Sequence, residues 1–216
     1  MKQELNISRS RRLGYGAVEV GITASETLLR VSLLIFYTQV VGLRADLASY
    51  AIALGILWDA ITDPFMGKFS DDANYKGERR RPFFWMGSIG LAISISFLFN
   101  FPEMSGQGSK FLYLLITYLS CNTFLTILSV PHLALAADIT QSEKTRMDLF
   151  GWRLIFANIG IIVGTALPAL MIAFGSSQRE PDSSASFIVG IILVVGNCFT
   201  MKATKGLDHA CEKNQS

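Results

Sequence analysis

The sequence predicts an all-α membrane protein with six transmembrane helices. Half of its 216 residues are apolar and only 17% are charged, whereas about a quarter of the residues are charged in a typical soluble domain. The charges also fall in clusters between long apolar stretches. A helix of about 20 apolar residues is long enough to cross a bilayer. The stretches that reach or approach this length lie at about 15–41, 46–69, 83–101, 111–137, 149–174 and 186–203.

The basic residues indicate how these spans are oriented. Most lysines and arginines lie in the tail 1–14, after the second and fourth spans, and in the tail 204–216, whereas the alternate loops hold only Arg44, Lys110 and Arg179. Loops rich in lysine and arginine stay in the cytoplasm. We therefore expect both termini in the cytoplasm and the multi-pass chain in a plasma membrane, which is the inner membrane if the source is bacterial.

Two aspartates lie inside the second apolar stretch, Asp59 and Asp63. A spacing of four residues turns a helix by about 400°, so both side chains project from nearly one face, about 6 Å apart along the axis. Carboxylates are costly in a membrane and mark functional sites there. Paired oxygens can bind a small cation or share a proton. Asp63-Pro64 also matches a helix start, which would break or bend this span.

The first span contains Glu19, Glu26 and Arg30. Glu26 and Arg30 have the spacing and order of a favourable helical ion pair, which is either a structural pair or part of a polar cavity wall. Glu19 lies nearer the cytoplasmic end, where it either reaches the interface or faces the cavity.

Two more polar residues lie in the fourth and fifth spans. Arg153 either extends to the cytoplasmic interface or faces the cavity, where it meets an anion, a hydroxyl-rich substrate or an acid. His132 follows Pro131, and a single histidine in a span is more often a satisfied packing residue than part of a relay. Gly160 and Gly164 form a small-residue surface that favours close helix packing.

The loop after the second span is densely charged. Residues 68–82 mix acids that include Asp71 with a run of arginines that includes Arg79 and Arg80. This pattern indicates either a salt-bridged latch between helix ends or simple topology-setting charge.

The sequence contains few of the features that are typical of an enzyme active site. It has two histidines, His132 and His209, and it lacks the HExxH and Gly-x-Ser-x-Gly motifs and clustered Cys/His ligands. We expect no enzymatic activity, no cofactor and no nucleic-acid partner, with membrane lipid and a small solute as the partners.

Four segments of the chain resemble one known family, and they are Gly14-Tyr15-Gly16, Phe36–Leu43, Trp58–Pro64 and Gly77–Pro82. The family is that of the glycoside–pentoside–hexuronide:cation symporters, a melibiose-permease-like branch of the major facilitator superfamily. The resemblance implies uptake of a sugar or related solute by alternating access, coupled to sodium or protons. It also implies that Asp59 and Asp63 bind the cation, and so form a metal site only if that cation is sodium.

The resemblance assigns further roles by position. Arg153 falls on a cavity arginine near the substrate, and Ser129 falls on a sugar-binding acid. Glu19 and Thr23 are the two candidates for the substrate-binding acid of the first helix. Asp71, Gly77, Arg79 and Arg80 resemble the superfamily's cytoplasmic gate loop. Eukaryotic lysolipid carriers share these motifs, so a lysolipid-type carrier is an alternative.

Family members carry about twelve spans in two halves. The resemblance ends where their central loop begins, so we expect the amino-terminal half of such a transporter. Its partner is then a missing carboxyl-terminal half or a second copy. The alternative is a half-size membrane subunit that does not itself transport.

Overall fold

The computed structural model describes residues 8–73, 80–140, 142–173 and 180–205. Within these ranges six helices are long and apolar enough to cross a membrane, and no strand occurs in them, which confirms the predicted fold class. The helices are α1 (Arg9–Ile35), α2 (Ala45–Asp72), α3 (Arg81–Phe99), α4 (Gln107–Ile139), α5 (Glu143–Ala173) and α6 (Glu180–Ala203). Several helices begin in polar sequence before the predicted apolar stretch. A transmembrane helix can extend beyond the bilayer into water, where its residues are no longer apolar, so hydropathy does not predict these ends.

The carboxyl-terminal end of α1 is an irregular turn that α4 holds in place. Phe36–Val40 form a π-helical turn, and Gly42 follows with φ 72°, a left-handed conformation that glycine adopts without steric cost. Gln107 donates to the Gly42 carbonyl at 2.9 Å and Lys110 donates to the Val41 carbonyl at 2.5 Å. These bonds satisfy carbonyls that the end of a helix leaves open.

The prolines do not interrupt the helices. Helix α2 runs through Pro64, α4 through Pro131 and α5 through Pro168. Of the two alternatives at Asp63-Pro64, a break or a bend, the break is therefore wrong. Neighbouring helices in a membrane bundle re-satisfy the backbone groups that a proline frees, so that the helix continues.

The helices pack side by side in the order α2, α4, α3, α6, α1 and α5, and α5 also touches α6. The contact between α1 and α5 is a backbone contact, because a Cβ at Gly160 or Gly164 would lie 2.6 Å from the carbonyl oxygen of Val20 or Ala24. The predicted close packing at these two glycines is thus confirmed. Of the six helices, α2 and α5 at the two ends of the row bury the smallest share of their apolar windows.

Candidate functional site

The two aspartates of α2 share one side of the helix but differ in environment. The buried positions of α2 are Ala48, Ala51, Gly55, Met66 and Ser70. Asp59 is half-buried one turn after Gly55, whereas Asp63 is exposed. Asp59 thus lies in the stripe that α2 turns toward the bundle, and Asp63 lies at its margin.

Helix α4 holds this part of α2 through two side-chain hydrogen bonds. Thr126 Oγ1 donates to Asp63 Oδ1 at 2.8 Å, and Trp58 Nε1 donates to Thr123 Oγ1 at 2.9 Å. The bond to Asp63 fixes the orientation of one carboxylate. Sequence reasoning missed Thr126, although it lies about one turn before Ser129, a residue that the resemblance singled out.

Asp59 Oδ1 is buried and accepts no hydrogen bond from the part of the chain that the structure describes. Leaving such an acceptor unpaired costs about 1 to 3 kcal/mol, and more when it is charged. Asn122 of α4 is buried nearby, since a Cβ on Gly55 would lie 2.9 Å from its Nδ2. Glu26 of α1 and Asp63 add negative charge that acts on Asp59. A cation or a proton at Asp59 satisfies the unpaired oxygen and relieves this repulsion.

The donor set limits which ion fits. Among residues 8–73, 80–140, 142–173 and 180–205, no three His, Cys, Asp or Glu side chains converge as a metal cluster. Two carboxylates and a hydroxyl are hard oxygen donors, which suit alkali and alkaline-earth cations more than transition metals. These donors therefore fit a hard cation such as sodium, and the carboxylates can also bind a proton.

Glu19 lies in a buried cluster, which we call the Glu19 cluster and define as Tyr15, Glu19, His132 and Arg153. Glu19 Oε2 lies 2.8 Å from Arg153 Nε and 3.2 Å from His132 Nδ1. The Glu19 side chain is 7% exposed and that of Arg153 20%. The interpretations that Glu19 and Arg153 extend to the interface are therefore wrong, because each finds its counter-charge inside the bundle.

Tyr15 and His132 join α1 to α4 by reciprocal contacts. Tyr15 Oη donates to the His132 carbonyl at 2.8 Å, and His132 Nε2 lies 2.9 Å from the Tyr15 carbonyl oxygen. The two rings also stack with centroids 4.5 Å apart, and the His132 side chain is fully buried. His132 is thus a packing residue that also contacts an ionisable side chain.

The polar face of α1 continues from Glu19 to Thr23, Glu26 and Arg30. Glu26 and Arg30 form the expected ion pair at 3.5 Å, with 79% of the Arg30 side chain exposed. Thr23 is half-buried at the crossing with α5, where a Cβ on Gly160 would lie 2.9 Å from its Cβ. The structure therefore places Thr23 in a helix contact.

Two other predicted positions lie apart from these groups. Ser129 is half-buried on α4, between Thr126 and His132 in sequence. In the loop, Arg80 Nη2 pairs with Asp71 Oδ1 at 2.7 Å and Arg81 Nη2 donates to the Met201 carbonyl at 2.8 Å. The end of α2, the start of α3 and the end of α6 are thus joined. Gly77 and Arg79 lie outside the described residues.

This arrangement, with six membrane-crossing helices and ionisable groups packed between them, is typical of membrane carriers. The chain belongs to a family of transporters described as MFS/sugar transport protein, whose model matches residues 14–215. The predicted family is thereby confirmed, and the chain is a multi-pass membrane protein from a family of transporters, not enzymes.

Several curated proteins are similar to the chain. One is the "Uncharacterized symporter YnaJ" of Bacillus subtilis, 29% identical over 92% of this chain and 44% of that protein. Another is the "Putative glycoside/cation symporter YagG" of Escherichia coli, 31% identical over 85% of this chain and 40% of that protein. A third is the mouse "Sodium-dependent lysophosphatidylcholine symporter 1", 26% identical over 87% of this chain and 36% of that protein. The chain thus spans less than half the length of these relatives.

Proposed function

We propose that this chain forms the cation-binding, amino-terminal half of a secondary active symporter for a sugar or related solute. The observation that carries the proposal is the buried oxygen of Asp59, which has no hydrogen-bond partner among the described residues and lies one turn from Asp63 in a transmembrane helix. The symporters similar to this chain, one of them a putative glycoside/cation symporter, support it.

In this proposal Asp59 and Asp63 bind the coupling ion, either sodium or a proton. Thr126 orients the Asp63 carboxylate through its 2.8 Å hydrogen bond. Binding of a cation removes the repulsion between the acids, so it favours a packing of α2 on α4 that is strained without the ion. Differential binding to two conformations is what allows an ion to drive alternating access.

In this proposal the solute binds beside the Glu19 cluster, where α1 meets α5. Arg153 and Glu19 are the proposed substrate residues, with Ser129 and Thr23 at its margins. Glu26 and Arg30 are proposed as part of the wall between the two sites, and the charge of Glu26 acts on both Asp59 and Glu19. This position gives ion and solute a shared electrostatic environment.

The orientation follows from the basic loops. We place both termini in the cytoplasm of a plasma membrane, with the Asp71–Arg80 pair at the cytoplasmic side as a gate latch. Exposed large apolar side chains on α2 and α5, which include Phe65 and Ile162, leave room for a carboxyl-terminal half or a second copy.

The direct test uses Trp58, which adjoins Asp59. Purified chain with Trp85→Phe and Trp152→Phe retains one tryptophan and is titrated with sodium at constant ionic strength and with acid. A saturable change in fluorescence is expected, and it should vanish in Asp59→Asn. Absence of any response to sodium or pH would refute the cation site.

A lysolipid-type carrier is the second candidate, and one groove favours it. An apolar groove of about 570 Å³ lies between α2 and α4 beside the proposed ion site, lined by residues that include Trp58, Phe65, Phe69 and Ile127. Such a groove suits an acyl chain. Sodium-dependent quenching of Trp58 by a spin-labelled lysolipid, with no response to sugars, would favour this candidate over a sugar carrier.

The remaining alternative is a half-size subunit that does not itself transport. Crosslinking through Cys198, which is half-buried on α6, tests it in native membranes. A discrete complex with a different protein, together with an absent ion response, would support a subunit and contradict the symporter.

A further inference from the structure

Helices α2 and α4 contact each other at two levels that are two helical turns apart. The helices run in the same direction, because only α3 lies between them along the chain. At one level a Cβ on Gly55 would collide with the ring of Tyr118. At the other, Thr126 Oγ1 donates to Asp63 Oδ1 at 2.8 Å. In both pairs the residue of α4 follows that of α2 by 63 positions.

Asn122 of α4 lies at the level between these two contacts, which we call the middle level. It follows Asp59 by the same 63 positions. Four residues advance each helix by about 6 Å and slightly more than one turn, so Asn122 occupies the place opposite Asp59 that Thr126 occupies one turn later. Asn122 also reaches α2 directly, since a Cβ on Gly55 would lie 2.9 Å from its Nδ2.

The two side chains of the middle level carry buried polar atoms of opposite hydrogen-bonding character. Asn122 is 3% exposed, and its Nδ2 donates no hydrogen bond to the part of the chain that the structure describes. Asp59 Oδ1 accepts none from the same residues. Buried polar groups without partners are uncommon and point to a ligand or another functional role. Two of them at one helix contact therefore favour a binding role for both residues.

We propose that Asn122 makes the cation site selective for sodium, because its amide oxygen binds the ion together with the carboxylates of Asp59 and Asp63. The inference rests on the proposed function, since it concerns the same cation site. Hard cations take several oxygen ligands, whereas a proton needs a single carboxylate oxygen. Asn122 thus matters for sodium and not for protonation of Asp59.

An amide suits the middle level because it adds an oxygen without adding charge. The carboxylates of Asp63 and Glu26 already act on Asp59, and a further acid would increase this repulsion. An amide has an acceptor end and a donor end. Its oxygen can face the ion while its nitrogen donates to the hydroxyl oxygen of Tyr118, a side chain that interacts with both Asn122 and Asp59.

The test separates the sodium response from the acid response in the full chain. Protein with Trp85→Phe and Trp152→Phe in lipid nanodiscs retains Trp58, whose fluorescence is titrated with sodium at constant ionic strength and with acid in sodium-free buffer. Asn122→Leu nearly keeps the size of the side chain and removes its oxygen. We expect its apparent sodium affinity to fall about tenfold or more, as when a group that supports a metal site is lost. Its acid response should remain.

Asn158→Leu is the matched control. Asn158 is exposed on α5, and its Nδ2 donates within its own helix to the Leu154 carbonyl at 2.7 Å. This variant should leave both responses unchanged. An equal loss of sodium affinity in Asn158→Leu would show that the effect does not come from the middle level.

Asn122→Asp gives a result that a packing role alone would not produce. A third carboxylate raises the negative charge of the ligand set, and the charge of the ligands controls the affinity for calcium. We expect calcium to change the fluorescence of Trp58 at concentrations about tenfold lower, or more, than in the native sequence. If Asn122→Leu does not fold, this gain of calcium binding decides the matter.

Three results would overturn the inference. They are a native sodium affinity in Asn122→Leu, a joint loss of its sodium and acid responses, and an unchanged calcium affinity in Asn122→Asp. Each of them, beside a normal sodium response of the native sequence, would leave the proposed symport standing. A native sequence that responds to acid but not to sodium would overturn this inference and leave proton-coupled symport, whereas no response to either would overturn both.

Discussion

The strongest consequence of the proposed ion site is that Asp59 destabilises the protein when no ion is bound. Its Oδ1 is buried without a hydrogen-bond partner in the described residues, and Asp63 and Glu26 add repulsion. Replacing Asp59 with asparagine removes the charge at nearly constant shape. We therefore expect Asp59→Asn to be more stable than the native sequence in sodium-free buffer and indifferent to sodium.

The structure sets the size of this effect. A buried unpaired acceptor costs about 1 to 3 kcal/mol and a charged one costs more. Asparagine keeps a polar atom at this position but removes the charge, so we expect a gain of about 1 to 3 kcal/mol, and each kcal/mol moves the melting temperature by about 2 to 4 °C in a chain of this size. The variant should thus melt about 2 to 12 °C higher without sodium. For the native sequence, sodium at a hundred times its dissociation constant stabilises by about 2.7 kcal/mol, which corresponds to about 5 to 11 °C.

Thermal unfolding in nanodiscs, followed by tryptophan fluorescence with and without sodium, measures both shifts. Asp46→Asn is the matched control, because Asp46 is an exposed acid of α2 that pairs with Arg44 at the helix start. It should leave the sodium shift intact. A lower melting temperature of Asp59→Asn in sodium-free buffer, or a sodium shift equal to that of the native sequence, would refute the reasoning.

Two further perturbations follow from the contacts of α4 and α5. Thr126→Val removes the hydrogen bond to Asp63, which is worth about 1.5 to 3 kcal/mol, so the apparent affinity for sodium in the melting experiment should fall about tenfold or more. Thr117→Val, which removes a bond within α4, is the control. Equal sodium affinities of the two variants would contradict the role of Thr126. Gly160→Ala forces a Cβ to 2.6 Å from a carbonyl of α1 and should lower stability by about 1 to 3 kcal/mol in chemical unfolding. Gly151→Ala meets nothing within 4 Å, so a similar loss there would show that the effect is not packing.

Much of the fold was predictable from composition because a bilayer restricts the chain so strongly. Backbone groups in lipid must bond within the segment, so each apolar stretch near the required length indicated a helix. In the part of the chain that the structure describes, six helices lie where six stretches were predicted, and the shortest stretch corresponds to α6. The helix ends were less predictable, since residues such as Arg9 and Glu180 extend the helices in polar sequence.

The proline of α2 shows where local sequence signals failed. Asp63-Pro64 has the residues of a helix start, but the helix continues through it. Local preference was overridden by packing, because α4 contacts α2 in the two turns just before the proline, at Trp58 and at Asp63. The Asp63-Pro64 dipeptide alone does not predict those contacts with α4.

The sequence by itself determined the number of helices, their membrane setting and the presence of costly charges within them. The tertiary structure decided which charges meet. Glu19, His132 and Arg153 lie on three different helices and converge on one carboxylate oxygen, whereas Thr23 on the same face as Glu19 packs against Gly160. The physical reason is that helix periodicity specifies only which residues share a face of one helix. Which faces come together depends on close packing between helices. Small residues such as Gly160 and Gly164 permit that packing, although they are distant in sequence from Glu19 and His132, which the packing brings together.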